Sequence, residues 1–268
     1  MAVLIDGKAV AQETKNSIKE QIASMEHKPC LAVIVVGNNP ASAVYVRNKK
    51  KDCEEVGMEC HVHQLPEDVS EDTVCAMICA LNLDPNISGI ICQLPLPKGL
   101  NERKILSRIN KNKDVDGFYS WKFDPCTPLG IITMLEYYGI GVEGKHCVVV
   151  GRSDIVGKPM ARMLLDKNGT VTVCHSKTKD LSSFTKQADI LVVAVGQRNL
   201  ITADMVKDGA VVIDVGMNRD DNGKLCGDVN FESVVEKVSF LTPTPGGVGP
   251  MTRAMLLANT VKAAGLDK

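Results

Sequence analysis

Residues 146–178 read HCVVVGRSDIVGKPMARMLLDKNGTVTVCHSKT. An apolar β-branched run, a glycine turn, an amphipathic stretch and a second β-branched run follow one another without a gap. That is strand, turn, helix, strand, the opening of a dinucleotide-binding βαβ unit. Gly151 suits the tight turn and Gly157 the close approach of the helix start to the strand. Ile155 and Val156 lie between them, and Ser153 takes the place of the usual second glycine. At the end of the second strand, units that bind NAD carry a carboxylate for the ribose hydroxyls. Here the sequence is CHSKT, and His175, Ser176 and Lys177 join Arg152 in offering donors and positive charge. Such groups fit a 2′-phosphate, so NADP is the expected nucleotide. The runs ADILVVAVG and AVVIDVG add two strands, making residues 144–242 a Rossmann-like unit.

Upstream, LAVIVVGNNP and MECHVHQL read as strands around the helix ASAVYVRNKKKDCEEVG, with Pro40 at its start and Gly57 as its stop. SEDTVCAMICALNLD is a helix with Ser70 as N-cap, and ISGIICQLPLP a third strand. The fold class is α/β in two domains. The segment DVDGFYSWKFDPCT (114–127) breaks the alternation and reads as the connector. MTRAMLLANTVKAAG closes the chain as a helix.

The bulk composition removes several classes of function. A net charge of −1 over 268 residues offers no field for nucleic acid. No apolar run approaches the roughly 20 residues that span a bilayer, so no membrane association is expected. MAVLIDGKAV lacks the basic start of a signal peptide. The ten cysteines are irregularly spaced and several sit in apolar runs. Reduced thiols and a cytoplasmic location follow as expectations. In CHVH, His61 and His63 would share a strand face with Cys60 beside them, but no partner pair follows at ligand spacing, and no metal is expected.

Tyr45 and Lys49 are four residues apart, which puts them on one helix face. A Tyr-x-x-x-Lys pair serves some nicotinamide oxidoreductases, where it follows the nucleotide glycines. Here it precedes them by about a hundred residues. Ligands of α/β sheets bind beyond the carboxyl ends of the strands. That edge also receives Gln93 with the LPLP loop, Asp114 and Asp116 of DVDGF, and the glycines of PTPGGVGP, which suggest an open backbone with exposed N–H groups.

YVRNK, QLPLP, KDVDGF, PCTPLG, GRSDIVGKP, CHSKT, VIDVGMNR and PTPGGVGPMTRAML occur in this order. In them the chain resembles the bifunctional methylenetetrahydrofolate dehydrogenase/methenyltetrahydrofolate cyclohydrolase family, called FolD in bacteria, from IDGK to the last helix. The resemblance implies an N-terminal αβα folate domain, residues 1–117 completed by a C-terminal helix at about 246–268. It implies a Rossmann-like NADP domain at 118–245, with a cleft between the two. It implies NADP-linked oxidation of 5,10-methylenetetrahydrofolate to the methenyl cation and hydrolysis to 10-formyltetrahydrofolate, usually in a homodimer.

By the same resemblance Lys49 is catalytic, Tyr45 stacks on the folate, Gln93 bonds near the lysine with Leu94 beside it, and Asp116 grips the pterin. Pro245, Gly246, Gly247, Val248 and Gly249 line the folate site. Gly151, Arg152, Ser153, Ser176 and the backbone near Met217 take the nucleotide. The chemistry suits these residue types. A carboxylate accepts two N–H groups of an aminopyrimidine edge, and an aromatic ring supports a flat ligand. A lysine serves as base and then acid where burial and a neighbouring donor lower its pKa. The alternatives are a monofunctional member of the family and a shikimate-type NADP dehydrogenase, which leaves QLPLP and PGGVGPMT unexplained. One departure stands out. Between DVDGF and PCTP this chain has only YSWKFD, where the family normally carries a longer segment.

Overall fold

A computed structural model describes residues 2–266, except Trp121 and the side chain of Ala41. It divides into two compact units, one of residues 1–11 and 127–252, the other of residues 12–126 and 253–268.

The first unit carries a six-stranded sheet. Its strands are β1 (Val3–Leu4), β5 (His146–Val150), β6 (Thr170–Cys174), β7 (Ile190–Val193), β8 (Val211–Asp214) and β11 (Phe240–Leu241), in the order β1-β11-β8-β7-β5-β6 and all parallel. Strands β5, β7 and β8 are almost wholly buried, as a parallel sheet covered on both faces requires. Helices α5 (Cys126–Tyr137), α6 (Gly157–Asp166), α7 (Leu181–Thr185) and α8 (Phe231–Val234) connect them. A hairpin of β9 (Asn218–Arg219) and β10 (Leu225–Cys226) follows β8.

The second unit holds β2 (Cys30–Val36), β3 (Glu59–Leu65) and β4 (Gly89–Cys92), parallel and in the order β3-β2-β4. With them come α2 (Pro40–Val56), α3 (Glu71–Leu83) and α4 (Glu102–Leu106). Ser70 caps α3 by accepting from Thr73 N, as its position suggested. Two helices straddle the division, α1 (Gly7–Ala23) and α9 (Val248–Ala264).

The units divide at 126/127 rather than 117/118, and the chain's first residues join the nucleotide-type sheet. Val3 N donates to Ser239 O and Ile5 N to Leu241 O, so β1 is held by ladder bonds at its edge. A two-residue strand carries too little periodicity to be read from sequence. Residues 118–126 stay with the second unit because they fold back on Gly117. That glycine has φ +73, and a Cβ on it would lie 2.6 Å from Phe123 O. The Asp114 carboxylate accepts from Tyr119 N and Ser120 N.

Asp214 ends β8 inside the first unit, 5% exposed. Its carboxylate accepts from Gly216 N, Asp228 N and Val229 N. Burial nonetheless pushes its pKa up from 3.8 to about 6, with the Asp228 charge adding to the rise and the three N–H groups opposing it. A folded-state pKa above the unfolded one means the native protein binds the extra proton. The group's stabilising contribution is then complete below pH 3.8 and is lost as pH rises through about 6. We expect the wild-type minus Asp214→Asn difference in unfolding free energy to shrink by about 1–3 kcal/mol between pH 4 and 7. Urea titrations at both pH values measure it, and a difference that grows with pH contradicts the assignment.

Candidate functional site

Helix α2 explains how a lysine comes to face inward. Ser42, Tyr45, Lys49, Asp52, Cys53 and Val56 recur at three- and four-residue spacing, one stripe of a helix. Four of these (Ser42, Asp52, Cys53 and Val56) are buried, while Arg47, Lys50, Lys51, Glu54 and Glu55 are exposed. Lys49 therefore occupies a core-facing position where the packing runs out. Buried Asp52 is paired with Lys15 at 3.5 Å and Arg253 at 3.3 Å.

Lys49 Nζ donates to Gln93 Oε1 at 3.0 Å. Gln93 follows β4, and its backbone N–H extends the ladder by donating to Ile34 O. Its side-chain Nε2 donates to Leu94 O at 2.7 Å, which fixes the amide with its oxygen towards the lysine. The Leu94–Pro95 peptide is cis, and Leu94 packs against the core of this unit. Asp116 completes the group. Burial pushes its carboxyl above the ordinary range; the Lys49 charge opposes that and the Asp114 charge adds to it. The second unit thus brings Lys49, Gln93 and Asp116 into one electrostatic group, with Tyr45 one helical turn from the lysine.

One residue that sequence reasoning missed holds this group in place. Asn259, buried in α9, donates through Nδ2 to Val115 O at 2.9 Å and Asp124 O at 3.0 Å. It pins both sides of the turn that presents Asp116. The only trace in the sequence is a polar pair, Asn259 and Thr260, inside the apolar run MLLANTV.

In the first unit Gly151 follows β5 with φ +128, and a Cβ there would lie 2.3 Å from Ala194 O. A Cβ on Gly157 would lie 2.3 Å from Gly151 O. Both glycines are demanded by backbone contact. Ser153 replaces the second glycine for a reason the structure supplies. Its Oγ accepts from Val156 N and Gly157 N, capping the helix start. Ile155 is exposed and Val156 half-buried in this turn. The chain closes on itself at 175–178, where Thr178 Oγ1 accepts from His175 N and His175 Nδ1 from Lys177 N. Arg152, Ser176 and Lys177 are exposed and no carboxylate stands among them. Met217, 52% exposed, follows the Asp214–Gly216 bond.

The Pro245–Gly249 segment is not the open backbone its glycines suggested. Gly246, Gly247 and Val248 are buried, and Gly247 N donates to Pro243 O. Gly246 O accepts from Lys8 N, and a Cβ on Gly7 would fall 1.8 Å from Gly247 O. The glycines serve close packing between the start of α1 and the start of α9. Pro245 and Gly249 remain exposed.

Residues 5–116 match the family described as tetrahydrofolate dehydrogenase/cyclohydrolase, catalytic domain, and residues 125–268 the same family's NAD(P)-binding domain. The chain belongs to the tetrahydrofolate dehydrogenase/cyclohydrolase family. Among its relatives, the bifunctional protein FolD of Agathobacter rectalis is 54% identical over 276 residues, covering 98% of this chain and 99% of that one. That aligned length exceeds the 268 residues here, so the relative carries residues with no counterpart in this chain. The crystal structure of FolD from Campylobacter jejuni superposes with a TM-score of 0.97 at 49% identity, covering 98% of this chain and 99% of that one. The Trypanosoma brucei enzyme, solved with NADP and an inhibitor, gives 0.94 at 35%, covering 98% and 97%. A shikimate dehydrogenase from Thermus thermophilus shares the fold alone, with a TM-score of 0.56 at 15% identity.

Membership in this family makes the glycine turn the feature to test. Gly151→Ala places a side chain against Ala194 O at a left-handed φ. It should cost roughly 1–3 kcal/mol of stability and raise the dissociation constant for NADPH by about tenfold or more. Thermal melts and fluorescence titration read both effects, and unchanged NADPH affinity would remove Gly151 from the nucleotide site.

Proposed function

We propose that the chain oxidises 5,10-methylenetetrahydrofolate with NADP and then hydrolyses the methenyl product to 10-formyltetrahydrofolate. The observation that carries the reading is the 3.0 Å hydrogen bond from Lys49 to a Gln93 amide whose orientation Leu94 O has already fixed. The catalytic roles belong to Lys49, Gln93, Tyr45 and Asp116.

NADP, when bound, supplies a hydride acceptor. The tight cradle at Gly151 and Gly157 fits a group that backbone must approach closely. Arg152, His175 and Ser176 are assigned to the 2′-phosphate, and Ser153, Ile155, Val156 and Met217 to the rest of the nucleotide. Hydride transfer needs no acid or base, so the protein's part is to hold the reacting carbon in place. Asp116 accepts from the aminopyrimidine edge of the pterin, and Tyr45 offers its ring as a platform. Leu94 and the Pro245–Gly249 segment are also assigned to folate binding.

Hydrolysis calls for a base. As water adds to the methenyl carbon, Lys49 accepts a proton from it. The same group returns that proton to the ring nitrogen as the carbon–nitrogen bond breaks, and the adduct's hydroxyl proton leaves to solvent as the formyl carbonyl forms. Gln93 orients the amine without adding a charge.

We further propose a cytoplasmic homodimer that binds no nucleic acid. The net charge of −1 and ten unpaired cysteines support the charge and compartment readings. Among the described residues no helix is long and apolar enough to cross a membrane.

Lys49→Met should lower cyclohydrolase activity by at least about a hundredfold while NADPH still binds. Loss of methenyl absorbance reads the hydrolysis directly, and near-normal hydrolysis by the variant sinks the role of Lys49. Arg152→Ala with Ser176→Ala should raise KM for NADP by about tenfold or more, with little change for NAD. Equal losses with the two nucleotides contradict the 2′-phosphate assignment.

A further inference from the structure

The structure assembles a second set of donors at the opposite end of the three-stranded sheet. Cys30 opens β2 and Glu59 opens β3, and the two are register partners. His61 lies two residues further along β3, on the face of Glu59. The Cys30 thiol, the Glu59 carboxylate and a His61 ring nitrogen all lie within 4.8 Å of one another. His61 Nε2 and Glu59 Oε2 are 3.8 Å apart. The donors of a tetrahedral zinc site stand about 3.4–3.6 Å apart, given Zn–N and Zn–O near 2.1 Å and Zn–S near 2.3 Å. Small rotations of two exposed side chains close that gap.

We propose that Cys30, Glu59 and His61 form a zinc site, with solvent as fourth ligand, that clamps the edge strand β3 to β2. The mixed sulfur, nitrogen and oxygen donors select a borderline metal over calcium or magnesium, which take oxygen sets. Binding displaces the Cys30 thiol proton to solvent and leaves thiolate on the metal. Cys30 is 2% exposed and packed in the core, while Glu59 and His61 sit at the rim, where an ion arrives without opening the fold. The set is separate from the lysine group, because Gln93 lies beyond the carboxyl end of β4 and these residues start their strands. It also differs from the CHVH run considered in the sequence. Strand alternation turns Cys60 to the other face, and the set draws its thiol from the neighbouring strand.

The test uses the full-length, tag-free protein stripped with a chelator and titrated with cobalt(II), then zinc. One equivalent of cobalt should give a thiolate charge-transfer band and the visible absorption of a tetrahedral site, both lost as zinc displaces it. His61→Ala should weaken binding by at least about tenfold and leave both enzyme activities intact, and Cys60→Ala should change nothing. Zinc should raise the melting temperature of the wild type and not of His61→Ala. No charge-transfer band with cobalt in excess, binding by His61→Ala as tight as wild type, or loss of the band in Cys60→Ala overturns the proposal.

Discussion

Parallel strands leave a debt of unpaired backbone groups at their carboxyl ends, and in this protein buried carboxylates settle it. Asp214 takes three N–H groups from residues 216, 228 and 229. Asp228, fully buried, takes Val195 N and Gly196 N and also holds the Asn218 amide. Asp114 does the same for residues 119 and 120 in the other unit. An unsatisfied buried N–H costs about 1–3 kcal/mol, so each loop has one well-paired arrangement. The space around these acids is full. A Cβ on Gly227 would fall 1.7 Å from Asp214 Oδ2, and one on Gly216 would fall 2.5 Å from Asp228 Oδ1. The glycines and the acids therefore form one device that fixes the strand-end loops to which we assign ligand binding.

The same economy shapes the lysine group. The amine to which we assign the base is set on a helix stripe that otherwise buries Cys53 and Val56. Its partner amide is set by a neighbouring carbonyl. The carboxylate nearby is presented on a turn held by Asn259. Each functional group is positioned by a polar contact that is itself buried or half-buried, so its geometry costs little reorganisation when a substrate arrives. The single assigned base then suffices for two successive reactions, because the first of them needs only placement.

The main elements were legible because their signals are strong. Buried strands such as CLAVIVV and HCVVV, the Ser70 cap and the Gly57 stop all follow from local chemistry. The glycine turn was legible even with serine at its second position, and its role as a cap shows why the departure is tolerated. What escaped the sequence was tertiary. The pairing of β1 with β11 joins residues more than 230 positions apart (Val3 with Phe240). The compactness of Gly246–Val248 depends on Gly7, and the support of the Asp116 turn depends on Asn259. None of these contacts has a local signature, because each is made by a residue from a distant part of the chain.

The interleaving of the two units has a consequence for synthesis on the ribosome. The edge strand made first waits for β11, and the turn bearing Asp116 waits for the side chain of residue 259. Both units take part of their contacts from α9. Contacts of such high sequence separation slow folding and prolong the exposure of apolar strands. The seventeen-residue helix α9 contributes residues to both units, so each core is completed by chain far in sequence from its first strands.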